Sequence, residues 1–239
     1  MQSSQSRTQT DPPILDLDQF NAQLDTCVSC ATLARGYRHV PGGGCEVQPD
    51  LMLIFINPTV GNMSAHADWP GVRFPFASKP KLWHILADAG WVRADLPARI
   101  AELGPVPNMV RMLVDEARQQ RVYLTNAVKC VDDGSQLPSA ERVAAAWPQL
   151  QAEIALVQPR HVVALGLIPF RVLTGQSVRL ADELWAAQHG ALTAYPSRPI
   201  VGNTYPVFPC YFPTGRGNPV AATTMLRVLR QQLQAEAAR

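Results

Sequence analysis

The chain has 239 residues, a hydrophobic fraction of 47% and a formal net charge of +2. This length suits one large or two small globular domains, and the small net charge does not by itself demand a nucleic acid as partner. The first 13 residues are polar, without the apolar segment of a secretory signal, and no apolar run approaches the roughly 20 residues of a membrane span. We therefore expect a soluble, cytoplasmic protein with a flexible tail over residues 1–13.

Short apolar segments alternate with segments of helical periodicity along the rest of the chain. Ser139 is a predicted N-cap, with Glu141 in the first turn of its helix. In chain order we predict a helix within 14–35, a turn at 40–45, a strand at 51–56, helices within 79–91 and 106–120, a strand at 121–128, a helix at 139–159, a strand at 160–166, a helix at 167–175, a strand and Gly/Pro loop at 206–219, and a closing helix at 220–239.

This alternation predicts a single α/β domain over residues 14–239. Its architecture is a three-layer αβα sandwich with a central, mainly parallel, four-stranded sheet. In such sheets ligands bind at the carboxyl ends of the strands. The loops that open at Asn57, Asn126 and Phe212 are therefore the candidate site.

The segment "VYLTNAVKC" (122–130) ends an apolar run with two polar residues, Thr125 and Asn126. Polar groups at the end of a buried strand are costly unless they bind a ligand or close a turn. From the residues alone, Asn126 either satisfies backbone groups at the strand end or recognises a ligand.

Five segments in this order resemble the uracil-DNA glycosylase superfamily: "INPTVGN", "FPFASKPKLWHIL", "VYLTNAVKC", "PQLQAEIALVQPRHVVALG" and "YFPTGRGNP". Together with "CVSC" they cover residues 27–235. "CVSC", "YLTNAVKC" and "QPRHVVALG" are most similar to the bacterial branch that carries an iron–sulfur cluster, whereas "INP" is similar to the mismatch-specific branch.

The resemblance implies a pocket for a base flipped out of DNA. Phe76 would stack on the base, and the side-chain amide of Asn126 would pair with O4 and N3–H of uracil. Ile56 and Pro58 would line the pocket, with the main-chain amides of residues 56–61.

The loop "INPTVGN" would supply the catalytic water site through Asn57. An amide orients water but cannot act as a general base near neutral pH. Asp68 is a nearby carboxylate that could substitute, although a solvated loop aspartate is the simpler interpretation. His66 is the histidine to test for proton transfer.

Most branches of the family have His-Pro-Ser in the second motif, and the mismatch-specific branch has Asn-Pro-Ser. Here the residues are Phe212, Pro213 and Thr214. The family histidine donates a hydrogen bond to the leaving base, which Phe212 cannot do, and losing such a contact typically costs about 3 kcal/mol of barrier, roughly a hundredfold in rate. Phe212 would instead stack on the base, wedge into DNA or pack in the core. Weak activity is therefore expected, with Thr214 the remaining catalytic candidate of this motif.

The loop "GRGNP" (215–219) would press into the minor groove, with Gly215 allowing close approach and Arg216 contacting phosphate or a groove edge. It is also an ordinary turn before the last helix. Lys129 is a further candidate contact to phosphate, and so are Arg73, Lys79 and Lys81.

The chain has five cysteines, an odd number, and we expect it to be intracellular. We therefore do not expect a disulfide framework. The resemblance implies a [4Fe–4S] cluster held by Cys27, Cys30 and Cys130. Ala146 stands where the family has its fourth cysteine, so the fourth ligand is either missing or supplied by Cys45. A lost metal site and a zinc site stay open as alternatives, and Cys210 is predicted to be a core residue.

We therefore expect a monomeric, monofunctional DNA glycosylase that hydrolyses the N-glycosidic bond of uracil or a related deaminated base, with DNA as its partner. The alternatives are a non-catalytic DNA- or base-binding protein of the same fold and a glycosylase for another damaged base.

Overall fold

The computed structural model of the chain describes residues 16–26, 34–131 and 137–239. The predicted tail at residues 1–13 lies outside these ranges. In the described part a mixed sheet lies between helices, which confirms the predicted α/β class. Its strands are β1 (Gly43–Gly44), β2 (Leu51–Phe55), β3 (Val122–Asn126), β4 (Val162–Leu165), β5 (Tyr195–Pro196) and β6 (Pro206–Cys210).

The strands lie in the order β1-β3-β2-β4-β6-β5. The four longer strands β3, β2, β4 and β6 are parallel and form the predicted four-stranded centre. Strands β1 and β5 add an antiparallel edge on each side. The prediction missed them because a two-residue strand is too short to show a periodic pattern.

Eight helices occur in the described ranges, and two of them, α3 and α7, were not predicted. The helix predicted within residues 14–35 is described only as α1. The helices are α1 (Leu17–Thr26), α2 (Pro80–Asp88), α3 (Leu96–Leu103), α4 (Pro107–Gln119), α5 (Ala140–Val157), α6 (Leu167–Thr174), α7 (Leu180–Gln188) and α8 (Pro219–Ala237).

Successive side chains of β2 point to opposite faces of the sheet and so enter two separate cores. Leu51, Leu53 and Phe55 pack with α2, α3, α4 and α8. Met52 and Ile54 pack with α5 and α6. The sheet and the helices packed on its two faces form the predicted three layers. The predicted site residues Asn57 and Asn126 lie at the carboxyl ends of β2 and β3.

Side-chain caps set the start of the two longest helices. Ser139 Oγ accepts a hydrogen bond from the Arg142 amide at 3.3 Å and caps α5, as predicted. Asn218 Oδ1 accepts one from the Ala221 amide at 3.1 Å and caps α8. The second cap fixes the point at which the loop after β6 turns into α8. No helix in the described ranges is long and apolar enough to cross a membrane.

Candidate functional site

The three loops predicted to form the site start from neighbouring parallel strands. The amides of Ala127 and Val128 donate to the carbonyls of Phe55 and Ile56 at 2.8 and 2.9 Å, which joins the ends of β3 and β2. On the other side, the Gly166 amide after β4 donates to the carbonyl of Cys210 at 2.9 Å. The segments after β3, β2, β4 and β6 therefore open at one edge of the sheet.

Asn126 is fully buried at the end of β3. Neither its Oδ1 nor its Nδ2 has a hydrogen-bond partner among the described residues. An unpaired buried donor or acceptor costs about 1–3 kcal/mol, so two of them in one amide are unusual. The amide therefore makes no hydrogen bond to a backbone group of the described residues. This contradicts the alternative in which Asn126 satisfies backbone groups at the end of the strand.

Phe55 connects Asn126 with Phe76. Phe55 is the register partner of Asn126 across β2 and β3, so their side chains lie side by side on one face of the sheet. The ring of Phe76 lies 4.0 Å from the ring of Phe55, centroid to centroid. The two predicted base-binding residues thus both adjoin Phe55 and approach the same space.

Phe76 has an unusual backbone conformation, with φ of +57°. A residue with a β-carbon rarely adopts this left-handed region, and such strain is concentrated at functional sites. The Phe76 carbonyl accepts hydrogen bonds from the Lys79 amide at 3.1 Å and from Trp83 Nε1 at 3.3 Å. These bonds hold the peptide that carries the ring.

Phe212 joins Phe55 and Phe76 in one group of aromatic rings. Its ring is 6.3 Å from that of Phe55, edge to face, and 6.1 Å from that of Phe76. Three phenyl rings therefore lie close together, and one of them, Phe55, is the strand neighbour of Asn126. A planar heterocycle entering here would meet aromatic faces and one group able to donate and accept hydrogen bonds.

Asn57, the predicted water-orienting residue, is buried directly after the end of β2. Its Nδ2 donates to the Pro58 carbonyl at 3.2 Å. Ile56 and Pro58 are buried beside it. Asp68 is exposed, and the ring of His66 lies 4.5 Å from that of Tyr37.

Two loops of the site are fastened together by polar side chains that the sequence analysis missed. Asn62 Nδ2 and Ser64 Oγ both donate to the Phe74 carbonyl at 3.0 Å. Ser78 Oγ accepts from the Met63 amide at 2.7 Å. The loop that carries Asn57 and the loop that carries Phe76 are therefore one hydrogen-bonded unit. Asn and Ser in an otherwise apolar stretch were the available signal.

The loop after Phe212 projects into solvent. The Gly217 amide donates to the Thr214 carbonyl at 3.0 Å and closes a turn, and Gly215 and Arg216 at its tip are exposed. A β-carbon on Gly217 would lie 1.8 Å from the Phe212 carbonyl oxygen, so this turn requires glycine. Arg216 forms no ion pair with any described residue, which leaves its guanidinium available to a ligand.

Lys129 does not lie on this surface, and the prediction that it contacts DNA is wrong. Its side chain is fully buried in an ion pair with Glu153 of α5. Burial lowers the pKa of Lys129, and the Glu153 carboxylate opposes that shift. Arg73 is likewise engaged, because it pairs with Asp25 and donates to the His39 carbonyl at 2.8 Å. Lys79 and Lys81 are still candidates on the surface.

The cysteine predictions divide into three groups. Cys27 and Cys30 lie outside the described residues. Cys130 is disulfide-bonded, which the sequence analysis did not expect. It is buried in a small cluster with Val128 and Ala146, so the alanine predicted to replace a fourth cysteine does lie beside Cys130. Among the described residues no group of three or more His, Cys, Asp or Glu side chains is arranged to hold a metal ion.

Cys45 is not able to supply the fourth ligand, so that alternative is wrong. Its amide donates to the Val122 carbonyl at 2.9 Å, at the amino end of β3. Cys130 follows the carboxyl end of the same strand, and β3 alone separates the two by about 13 Å at about 3.3 Å per residue. Cys210 is a free, buried core thiol, as predicted, and burial raises its pKa to about 12.

Comparison with known proteins shows which family the chain matches. Residues 41–233 match the family described as the uracil DNA glycosylase superfamily. The chain is also similar to a type-4 uracil-DNA glycosylase from Pyrobaculum aerophilum, with 25% identity over 170 residues. That alignment covers 71% of this chain and 70% of the archaeal protein.

Proposed function

The chain belongs to the uracil DNA glycosylase superfamily, and we propose that it recognises uracil or a related deaminated base flipped out of DNA. The observation that carries the proposal is the fully buried amide of Asn126, which has no hydrogen-bond partner among the described residues. The name of the archaeal relative makes uracil the first base to test.

The amide and the rings have complementary tasks in this proposal. Asn126 Nδ2 donates to O4 of uracil and Oδ1 accepts from N3–H, which satisfies both orphan atoms at once. Phe76 stacks on the base, while Phe55 and Phe212 complete an apolar wall. Ile56, Pro58 and the main-chain amides of 56–61 enclose the remaining edge.

The reaction in this proposal is hydrolysis of the N-glycosidic bond through an oxocarbenium-like state. Asn57 orients the attacking water molecule. Thr214 is the remaining catalytic candidate in the second motif. Asn57 is neutral and Phe212 offers no hydrogen bond to the departing base, so the enzyme is slow by the standards of the family. The sequence offers no lysine placed for a Schiff base, and Lys129 is buried, so the product is an abasic site and the activity is monofunctional.

The exposed loop at Gly215 and Arg216 holds the DNA backbone beside the flipped nucleotide. Lys79 adds a second cation near the pocket, since its Nζ would lie 3.0 Å from a β-carbon placed on Gly61. Positive groups of this kind position DNA by contacts to phosphate, and base identity is recognised inside the pocket.

A second function is favoured by one specific observation. The apolar Phe212 occupies the position at which the family places its catalytic donor, while the base-recognising amide is retained. A protein with this site would bind the flipped base without cleaving it.

A [4Fe–4S] cluster does not fit the residues well enough to enter the mechanism. A four-thiolate site needs four cysteines. Ala146 presents a methyl group beside Cys130, and Cys45 and Cys210 lie elsewhere. With Cys27 and Cys30 the chain offers at most three cysteines to such a site, and Cys130 is disulfide-bonded in the structure. None of the steps above depends on a metal.

The test uses single- and double-stranded oligonucleotides that carry uracil, hypoxanthine or xanthine, incubated with the protein and cleaved by alkali. Nicking that is lost in Asn57→Ala supports the enzyme. Selective binding without nicking, lost in Asn126→Ala, supports the binding protein. Asn108→Ala, at an exposed asparagine of α4, is the matched control. If the protein neither nicks nor selectively binds any of the three bases, both functions are contradicted.

A further inference from the structure

Four buried polar side chains lie behind the site, on the face of β3 opposite the pocket: Tyr123, Thr125, Lys129 and Glu153. We refer to them as the Lys129–Glu153 network. The Tyr123 hydroxyl donates to Glu153 Oε1 at 3.0 Å, and the Thr125 hydroxyl lies 3.0 Å from both Glu153 oxygens. Lys129 Nζ donates to Thr125 Oγ1 and Glu153 Oε2.

The network is sealed from water. The side chains of Lys129 and Glu153 have no exposed surface. A β-carbon on Gly42 would lie 2.4 Å from the Tyr123 hydroxyl and 2.5 Å from Glu153 Oε1, so only glycine lets the chain pass over this point. Burial also raises the pKa of Tyr123 well above its ordinary value.

Fold stability alone does not explain such a network. Desolvating two charges costs as much as, or more than, their attraction returns, and apolar residues of similar volume are often as stable or more so. The position of the network along the chain suggests another role. Lys129 and Thr125 stand on either side of residues 126–128, and their hydrogen bond closes this segment into a loop anchored to α5.

The same segment is held from the pocket side by the bonds of Ala127 and Val128 to the carbonyls of Phe55 and Ile56. The backbone of Asn126 is thus fixed on both sides. Its side chain has no hydrogen bond of its own in the described part of the chain. The orientation of that amide therefore depends on the backbone that carries it.

We propose that Lys129 and Glu153 are positioning residues that hold the Asn126 amide ready for a base. This inference rests on the proposed function of Asn126. In this inference the buried ion pair holds the Asn126 amide in its binding orientation before a base arrives. A ligand binds more tightly when the conformational entropy of the binding group is already lost in the free protein.

The test compares the wild-type protein with the double variant Lys129→Met/Glu153→Leu. Binding is measured to an oligonucleotide carrying 2′-fluoro-2′-deoxyuridine, whose glycosidic bond resists hydrolysis, and to the same oligonucleotide with 2′-fluoro-2′-deoxycytidine, whose amino group and unprotonated N3 reverse the hydrogen-bonding pattern that Asn126 would recognise. The double variant should keep its melting temperature or raise it, while its preference for the uracil analogue falls about tenfold or more. A merely structural role would change the melting temperature and leave the preference intact.

The matched control is Arg93→Met/Glu116→Leu. Glu116 is also buried, and its Oε2 lies 2.7 Å from Arg93 Nε, but the pair lies beside the end of α4, close to the start of β3. This control should leave the uracil preference unchanged. Thr125→Val, which removes one hydroxyl and little volume, is the milder variant and should lower the preference several-fold.

Preference retained in both the double variant and Thr125→Val would overturn the inference while the proposed function stands. A wild-type protein with no uracil preference would overturn the proposed function and the inference together.

Discussion

Replacing Asn126 with leucine should stabilise the protein while it abolishes base recognition. Leucine has nearly the shape of asparagine and no polar atoms. Asn126 buries two polar atoms that have no hydrogen-bond partner in the described part of the chain, and each such atom costs about 1–3 kcal/mol. Removing both should raise the free energy of unfolding by about 2 kcal/mol, even after allowance for imperfect packing. For a chain of this length that corresponds to a rise of about 4–8 °C in the melting temperature.

The assay is thermal or urea unfolding of Asn126→Leu beside Asn62→Leu. Asn62 is buried to a similar extent, but its amide is fully engaged: Nδ2 donates to the Phe74 carbonyl at 3.0 Å and Oδ1 accepts from the Ser64 amide at 3.2 Å. Leucine at position 62 should therefore destabilise the protein by about 1–3 kcal/mol. The two asparagine variants should move in opposite directions.

A fall in stability for Asn126→Leu, of the same size as for Asn62→Leu, would refute the reasoning. It would mean that the Asn126 amide contributes to the fold and is not held in reserve for a ligand. Uracil binding that survives the substitution would refute the assignment of Asn126 as the base-recognising group.

Four further predictions test other parts of the site. Phe212→His should raise the single-turnover rate on uracil about a hundredfold, because it restores a donor to the departing base. Arg216→Ala should weaken binding to all DNA sequences alike and lower the salt slope of the affinity by about one. Ala146→Cys should raise the iron content and visible absorbance of protein purified without oxygen, since it places a fourth thiolate beside Cys130. The wild-type rate should be flat between pH 5 and 8, because asparagine and phenylalanine do not titrate.

Each of these has its own control and its own contradicting result. Phe212→Leu should not accelerate the reaction, and no gain with histidine would refute the alignment of that loop. Arg171→Ala, at an exposed arginine of α6, should leave DNA affinity unchanged. Equal iron in wild type and Ala146→Cys, measured by metal analysis, would remove the ancestral cluster as an explanation of Cys130. A bell-shaped pH profile would contradict the assignment of the reaction to side chains that do not titrate.

The sequence was sufficient for the features that depend on local pattern. Uninterrupted apolar runs predicted the four central strands, and the rule that ligands meet the carboxyl ends of parallel strands brought Asn57, Asn126 and Phe212 to one edge. The structure then brought Phe76 and Asn126 to Phe55, a neighbour that an all-apolar segment does not single out.

The sequence was not sufficient where a role depends on a distant partner. Lys129 follows a recognisable motif and is predicted from the sequence to be a surface cation, but its partner Glu153 lies 24 residues later, in α5. Cys45 was a plausible ligand until pairing of β1 with β3 placed it at the wrong end of the strand. The type and charge of a residue predict which ligand its side chain could bind. Its burial and its contacts in the fold decide whether the side chain is free to bind that ligand.

In the function we propose, the site combines a well-ordered group for base recognition with few groups for catalysis. The amide of Asn126 is buried without a hydrogen-bond partner in residues 16–26, 34–131 and 137–239, and the backbone that carries it is held from both sides, which favours binding of one planar base. The positions that would stabilise charge in the transition state hold the neutral Asn57 and the apolar Phe212. Only contacts that strengthen in the transition state accelerate a reaction, whereas contacts made equally in the bound state improve affinity alone. Base affinity and turnover should therefore separate in this protein, with selective binding preserved even where cleavage is slow.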